Sequence, residues 1–164
     1  MFYLEQFKNE QEEPAMKIPV DHYASGEYLY TKMTAPVCEK YGLTHMEFTV
    51  LIFLANNPGY DTASQLVKIR RLTKSHVSVS IRSLEQKGLL VGEYRDHNRR
   101  TVHLTLTSDA DPIIEDGRKA QQNFYEAIFT GFSLQERDQM MEFMNRIDAN
   151  LKSHIQNFDR REER

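Results

Sequence analysis

Small polar and basic side chains share one face of a predicted helix in the middle of the chain. At 100° per residue, Ser75, Val79 and Arg82 lie opposite the apolar residues Val77 and Leu84. Hydroxyl, imidazole and basic groups hydrogen-bond to phosphates and base edges, and a valine methyl can contact thymine. This face therefore has the chemistry of a nucleic-acid contact. The residues predicted to make it are Lys74, Ser75, His76, Ser78, Val79 and Arg82.

A two-stranded ribbon with a basic tip is predicted directly after this helix. Gly88 stands where a helix ends in a left-handed turn, and the apolar run 89–91 begins a strand. Leu104 and Leu106 alternate with threonines in the returning strand. A helix followed by such a ribbon is typical of a winged helix-turn-helix, whose wing can reach the DNA backbone or minor groove. The predicted wing contacts are Arg95, Asn98, Arg99 and Arg100.

The distribution of charge favours a nucleic-acid partner, although the chain has a net charge of −3. Residues 68–100 contain nine basic and three acidic side chains, a balance of +6, whereas the remainder has 12 basic and 21 acidic, a balance of −9. Positive charge gathered on one segment is expected of a phosphate-binding surface.

The elements around this segment predict a mainly α fold with a small β-hairpin wing. An arm at 1–19 precedes a helical pattern, and residues 44–107 form the winged helix-turn-helix, whose helices begin at Thr44 and at Asp61 or Thr62. A long helix capped by Thr107 or Ser108 follows, and Ser133 with Glu136 forms a capping box that opens the last helix. Long N- and C-terminal helices, at 20–43 and 108–160, are assigned to dimerisation.

The last helix has an apolar stripe that predicts a partner. Its members recur every three or four residues, a spacing that a second copy of the chain would cover. Two copies would also strengthen the weak binding of a single recognition helix. The stripe consists of Met140, Met144, Ile147, Leu151, Ile155 and Phe158.

The sequence argues against an enzyme, a metal-binding protein and a membrane protein. No nucleophile elbow, phosphate loop or Cys/His cluster is present, so we expect no enzyme activity, no cofactor and no metal. Cys38 could be a redox sensor, but a small buried residue is the favoured interpretation. A single cysteine, the absence of a signal-peptide pattern and the short longest apolar run predict a cytoplasmic protein without a membrane segment.

From about Val20 to Leu151 the chain resembles the MarR family of bacterial winged-helix transcriptional regulators. The similarity lies in the order and spacing of five short motifs along most of the chain. They are Tyr-Gly-Leu-Thr at 41–44, Ser-Gln-Leu-Val at 64–67, Leu-Thr-Lys-Ser-His-Val-Ser at 72–78, Leu-Glu-Gln-Lys-Gly-Leu-Leu at 84–90 and Leu-Thr at 106–107.

The resemblance implies a homodimer that binds double-stranded DNA at a near-palindromic operator and regulates transcription. We expect a repressor that is relieved by a small aromatic or other organic effector. The alternative is a winged-helix dimer that acts through a protein partner. Aromatic residues on the helices are the candidate walls of an effector pocket: Tyr23, Tyr30, Phe48 and Phe53.

The sequence departs from the family pattern in three places. Asn98 stands where the wing usually has aspartate, and Ser83 where arginine is common, with Arg82 one place earlier. Arg70 and Arg71 replace the usual leucine and glycine, which makes the turn before the recognition helix more basic.

Overall fold

The computed structural model describes residues 21–95 and 100–162, and the side chains of residues 24–95 and 100–158. Within these residues, six α-helices and one antiparallel hairpin follow each other in the predicted order. The elements are α1 (Asp21–Tyr41), α2 (His45–Asn56), α3 (Ala63–Arg70), α4 (Lys74–Gln86), β1 (Leu90–Tyr94), β2 (Val102–Leu106), a 3-10 turn (Ser108–Ala110), α5 (Asp111–Ile128) and α6 (Leu134–Glu162). The predicted fold class, mainly α with a hairpin wing, is confirmed.

Local capping explains where three of the helices begin. Thr44 and Glu47 form the predicted capping box of α2. At α3 the cap is Thr62, which forms a capping box with Gln65, whereas Asp61 makes other contacts. In front of α6, Ser133 and Glu136 exchange the hydrogen bonds of the third box.

The start of α5 differs from the prediction. Thr107 or Ser108 was expected to cap a long helix, but residues 108–110 form a 3-10 turn and α5 begins at Asp111. The Thr107 side chain makes no cap bond, because its hydroxyl donates to the carbonyl of Gly88 at 2.6 Å. Thr107 therefore connects the end of β2 to the end of α4. Gly88 itself has φ 72°, the left-handed conformation that its sequence position predicts.

One core joins α2 to the surrounding elements. Its fully buried side chains include Phe48, Leu66, Val77, Leu84 and Leu90, which come from α2, α3, α4 and β1. Helix α1 packs mainly against α5, and α5 also contacts α2. The unit formed by α2, α3, α4 and the hairpin, called the winged-helix unit below, therefore rests on a layer formed by α1 and α5.

The hairpin is antiparallel, with Leu90 opposite Leu106 at its base and Tyr94 opposite Val102 toward its tip. The segment before α3 extends this sheet, because the amide of Leu104 donates to the carbonyl of Asp61 at 2.7 Å. Within the described residues, none of the helices is long and apolar enough to cross a bilayer.

Candidate nucleic-acid interface

The outer face of α4 carries the side chains that are predicted to contact nucleic acid. Ser75, His76, Ser78 and Arg82 are exposed, and Val79 has 67% of its surface exposed. Lys74, at the first position of the helix, is exposed as well. Val79 is therefore accessible to a molecule outside the chain. The predicted outward face of α4 is therefore available as a surface, and its opposite face is fixed in the core.

An ion pair between a buried carboxylate and a partly exposed lysine holds the C-terminal end of α4 against α2. The Nζ atom of Lys87 lies 3.1 Å from both carboxylate oxygens of Glu47 and donates to the carbonyl of Gly42 at 2.8 Å. Only 4% of the Glu47 side chain is exposed. Burial alone would raise the pKa of Glu47, but hydrogen bonds from Ser83, the Thr44 amide and Lys87 outweigh it, so this pKa lies below its ordinary value.

A second charged cluster, the Asp61 cluster, ties the base of the wing to the start of α3. The two carboxylate oxygens of Asp61 bind Arg95 at 2.7 Å and the Nδ1 of His103 at 2.9 Å. Arg95 also donates to the hydroxyl of Thr105 at 3.0 Å. Partial burial would raise the pKa of Asp61, but His103 and Arg95 together hold it below its ordinary value. The wing is thus positioned by side chains as well as by its backbone.

The predicted wing contacts divide into three situations. Arg95 is turned toward its own molecule by Asp61 and Thr105, although 43% of its side chain stays exposed. Arg100 is exposed where the chain enters β2. Asn98 and Arg99 lie outside the described residues.

The turn between α3 and α4 is basic and has an unusual backbone. Arg71, the residue after α3, has φ 51° and ψ 36°, and its amide donates to the carbonyl of Val67. Arg70 and Arg71 are both exposed. Thr73 precedes α4 but makes no side-chain cap bond, in contrast to Thr44 and Thr62.

A cavity of about 270 Å³ lies where α1, α2, α3 and α5 meet. Its aromatic walls are Tyr30, Phe53, Phe124 and Tyr125, and the rings of Tyr30 and Phe124 stand edge to face at 5.3 Å. Of the four predicted pocket residues, Tyr30 and Phe53 line this cavity. Phe48 is fully buried in the core and does not line it, and the side chain of Tyr23 lies outside the described residues.

Three polar residues of the cavity wall, Asn56, Gln121 and Tyr30, belong to a chain of hydrogen bonds that begins at Arg118, outside the wall. Arg118 donates to Asn56 at 3.2 Å, Asn56 donates to Gln121 at 3.0 Å, and Gln121 donates to the hydroxyl of Tyr30 at 3.0 Å. Because the tyrosine oxygen is the acceptor in the last bond, its own O–H can donate to a ligand.

Charge and burial set the properties of that tyrosine. Burial raises the pKa of Tyr30, and the Gln121 bond and the positive charge of Arg70 oppose the increase only in part. Tyr30 therefore stays protonated at neutral pH and serves the cavity as a donor. Arg70, on the cavity wall, adds a positive charge to the same space.

Residues missed by sequence reasoning are those whose partners are distant in the chain. The sequence places Glu47 in a helix cap and Lys87 in the basic segment, but it does not pair the two residues. The sequence Thr-Ala-Ser-Gln at 62–65 does contain the capping-box signal that identifies the start of α3. Among the described residues, no group of three His, Cys, Asp or Glu side chains is arranged to hold a metal.

An exposed recognition helix, a short turn and a supported hairpin define a winged helix-turn-helix protein. Residues 41–101 match the model of the MarR family. This segment of the chain is therefore similar to the winged-helix domain of the MarR family of transcription regulators.

Solved structures with the same fold cover most of the chain. A putative MarR family transcriptional regulator from Listeria monocytogenes, solved with a 26mer DNA, is 18% identical with a TM-score of 0.71, over 82% of this chain and 89% of that one. MarR is 20% identical with a TM-score of 0.69, and the match covers 84% of this chain and 94% of MarR. BpsR from Bordetella bronchiseptica is 21% identical with a TM-score of 0.59, and the match covers 77% of this chain and 95% of BpsR.

Proposed function

We propose that this chain is a homodimeric, sequence-specific DNA-binding repressor whose affinity for its operator is lowered by a small organic ligand. The observation that carries the proposal is the outer face of α4, where Val79 is exposed between hydroxyl and basic side chains. Exposed groups of these kinds on one helix face can hydrogen-bond to phosphates and base edges and can contact a thymine methyl group.

Each predicted contact has a role in this proposal. Lys74 and Arg82 contact phosphate or guanine, and Val79 meets a thymine methyl group. The hydroxyl and imidazole groups of the first two turns hydrogen-bond to phosphates or base edges: Ser75, His76 and Ser78. In the wing, Asn98, Arg99 and Arg100 contact the backbone or minor groove, whereas Arg95 supports the hairpin through Asp61.

The dimer is proposed from α6, whose apolar stripe is open to solvent in one chain. Six side chains along one face are between 41% and 64% exposed: Met140, Met144, Ile147, Leu151, Ile155 and Phe158. Burial of half-exposed side chains of this size contributes on the order of 1 kcal/mol each. A second copy would cover the stripe by symmetry and set two recognition helices roughly 34 Å apart, one turn of B-DNA.

Dimerisation is tested by sedimentation of the wild type and of Leu151→Asp. The wild type should sediment with the mass of two chains, and the variant should shift toward one chain because the aspartate cannot be buried in an apolar contact. A wild type that stays at the mass of one chain at all concentrations would refute the dimer.

The cavity is the proposed ligand site, because it lies between the α1–α5 layer and the winged-helix unit. Aromatic walls favour a planar ligand, and Arg70 with the Tyr30 hydroxyl favours an acidic group on it. For BpsR, regulation of DNA binding by 6-hydroxynicotinic acid has been described. We propose a ligand of similar chemistry here.

The ligand proposal is tested by calorimetric titration with 6-hydroxynicotinic acid and, separately, with benzoate. Binding to the wild type that weakens in Arg70→Gln, together with release of the operator, supports the proposal. Binding without any effect on operator affinity would refute the regulatory role.

DNA binding is tested by selection of fragments from a random duplex pool, followed by a salt titration on the recovered sequence. The affinity should fall steeply with salt, and the sites should show two half-sites one helical turn apart. Arg82→Ala should cost about 1–3 kcal/mol and relax the sequence preference at one position if Arg82 reads a base. The absence of binding at low salt would refute the proposal and favour a protein partner.

A further inference from the structure

Arg71 occupies a backbone conformation that the chain otherwise gives to glycine. Among the described residues, the positions with positive φ are Arg71 at 51° and four glycines, at 42, 59, 88 and 131. A side chain in the left-handed region brings its Cβ close to the following carbonyl oxygen, so arginine is disfavoured there and glycine is not. The arginine therefore needs a reason other than the shape of the turn.

The turn is formed by backbone atoms alone. The amides of Arg71 and Leu72 both donate to the carbonyl of Val67, the second at 3.2 Å. The Arg71 side chain is exposed, and it makes no hydrogen bond or ion pair with the part of the chain that the structure describes. Glycine would provide the same hydrogen bonds without the strain, so the fold does not use this side chain.

The neighbouring arginine serves a different surface. Arg70 lines the cavity, where its charge acts on Tyr30, whereas Arg71 does not line it. Arg71 instead lies on the exposed turn, three residues before Lys74, the first residue of α4. The N-terminal end of a recognition helix enters the major groove, so the residues before it pass the edge of the groove, where phosphates lie.

We infer that Arg71 is a phosphate contact, and that its charge is the reason why an arginine is kept in a left-handed turn. This inference rests on the proposed DNA-binding function and adds a residue outside the predicted contact set. Arg71 would fix the approach of α4 to the groove without reading sequence.

Three substitutions separate charge from backbone strain. Arg71→Gly removes both, Arg71→Gln removes the charge but keeps the Cβ that strains the turn, and Arg71→Lys keeps both the charge and the Cβ. One phosphate contact changes the slope of log K against log salt by about 0.9, which corresponds to about fivefold in affinity at 0.15 M salt. We expect the glycine and glutamine variants to bind every duplex about fivefold more weakly for each recognition helix that binds, hence about 30-fold for a dimer, with a slope lower by about 0.9 for each helix. The lysine variant should keep the wild-type slope.

The unfolding temperature of the glycine variant should change in the opposite direction to its DNA affinity. Arg71→Gly should unfold at the wild-type temperature or up to about 3 °C above it, because strain is removed from a turn that glycine suits. Its loss of DNA affinity could then not be attributed to a damaged fold. Lys119→Gln, the same loss of charge on exposed α5, is the matched control and should change neither the affinity nor the slope.

The inference is overturned if the glycine and glutamine variants bind with the wild-type affinity and slope while Arg82→Ala binds more weakly. In that case the proposed function stands and Arg71 is only a strained turn residue. If the wild type shows no salt-dependent binding to DNA, both the proposed function and this inference fail.

Discussion

Replacement of Lys87 by methionine should reveal how the recognition helix is held. The substitution removes the cation that faces both carboxylate oxygens of Glu47 at 3.1 Å, and also the bond to the carbonyl of Gly42. Methionine keeps most of the aliphatic length, so packing along the stem is largely retained. Because Lys87 is the residue that ends α4, the pair fixes this end of the helix on α2.

The expected loss of unfolding free energy depends on how deeply Lys87 and Glu47 are buried. Removal of one partner of a fully buried ion pair costs about 3–5 kcal/mol. Here 35% of the Lys87 side chain is exposed, and Glu47 keeps the Thr44 amide at 2.6 Å, so solvent and remaining bonds reduce the loss. We expect Lys87→Met to lower the free energy of unfolding by about 2 kcal/mol, which corresponds to roughly 4–8 °C in Tm.

Urea unfolding at fixed protein concentration measures this change, and a double-mutant cycle with Glu47→Gln isolates the interaction. The double variant should be less destabilised than the sum of the single variants by about 1–2 kcal/mol, since it leaves no unpaired buried carboxylate. Lys40→Met is the control, because Lys40 pairs with Asp116 on an exposed surface and should change stability little.

The dependence on pH follows from the lowered pKa of Glu47. A carboxyl group with a folded pKa below its unfolded value contributes its full stability above the unfolded pKa and loses it as the pH falls through the folded pKa. The stability difference between the wild type and Glu47→Gln should therefore shrink in acid. If Lys87→Met unfolds at the wild-type urea concentration, or if the difference persists in acid, the reasoning about this pair is wrong.

Three further predictions test other parts of the molecule. Gly117→Ala should lower the free energy of unfolding by about 1–3 kcal/mol, because its Cβ would meet two side chains of α2 at 2.6 and 2.9 Å, whereas Gly26→Ala, in open space, should not. Asp61→Asn should weaken DNA binding and speed hydrogen exchange in the hairpin, since it removes the charge that holds Arg95; unchanged exchange would contradict this. Cys38, buried and with its thiol pKa raised by burial, should react with Ellman's reagent only when the protein unfolds, and a fast native reaction would refute that.

Features of the structure that depend on nearby residues followed from the sequence. The two faces of α4 come from helical periodicity, so the exposed Val79 and the buried Val77 were both predicted. The capping box at Thr44 and the left-handed Gly88 are likewise local patterns, decided within a few residues. Each rests on backbone geometry that a short segment determines by itself.

The pairing of charges could not be predicted in the same way. The count of nine basic residues in 68–100 treated every cation as available to a phosphate. In the fold, Lys87 faces Glu47, 40 residues away, and Arg95 faces Asp61, 34 residues away. Which carboxylate approaches which cation depends on how α2, α4 and the hairpin pack, and no local pattern encodes it. The excess of positive charge was real, but part of it stabilises the fold.

The cavity and the recognition helix are connected through α3, and this limits how a ligand can regulate DNA binding. Arg70 lines the cavity, and the chain passes from it through the left-handed Arg71 directly into α4. A ligand that engages Arg70 equally well in every arrangement of α4 leaves operator affinity unchanged, however tightly it binds. Regulation through Arg70 therefore requires that the geometry at this residue differ between the DNA-bound and the free arrangement. A strained turn next to that residue is a place where a small change in backbone conformation would reorient the helix.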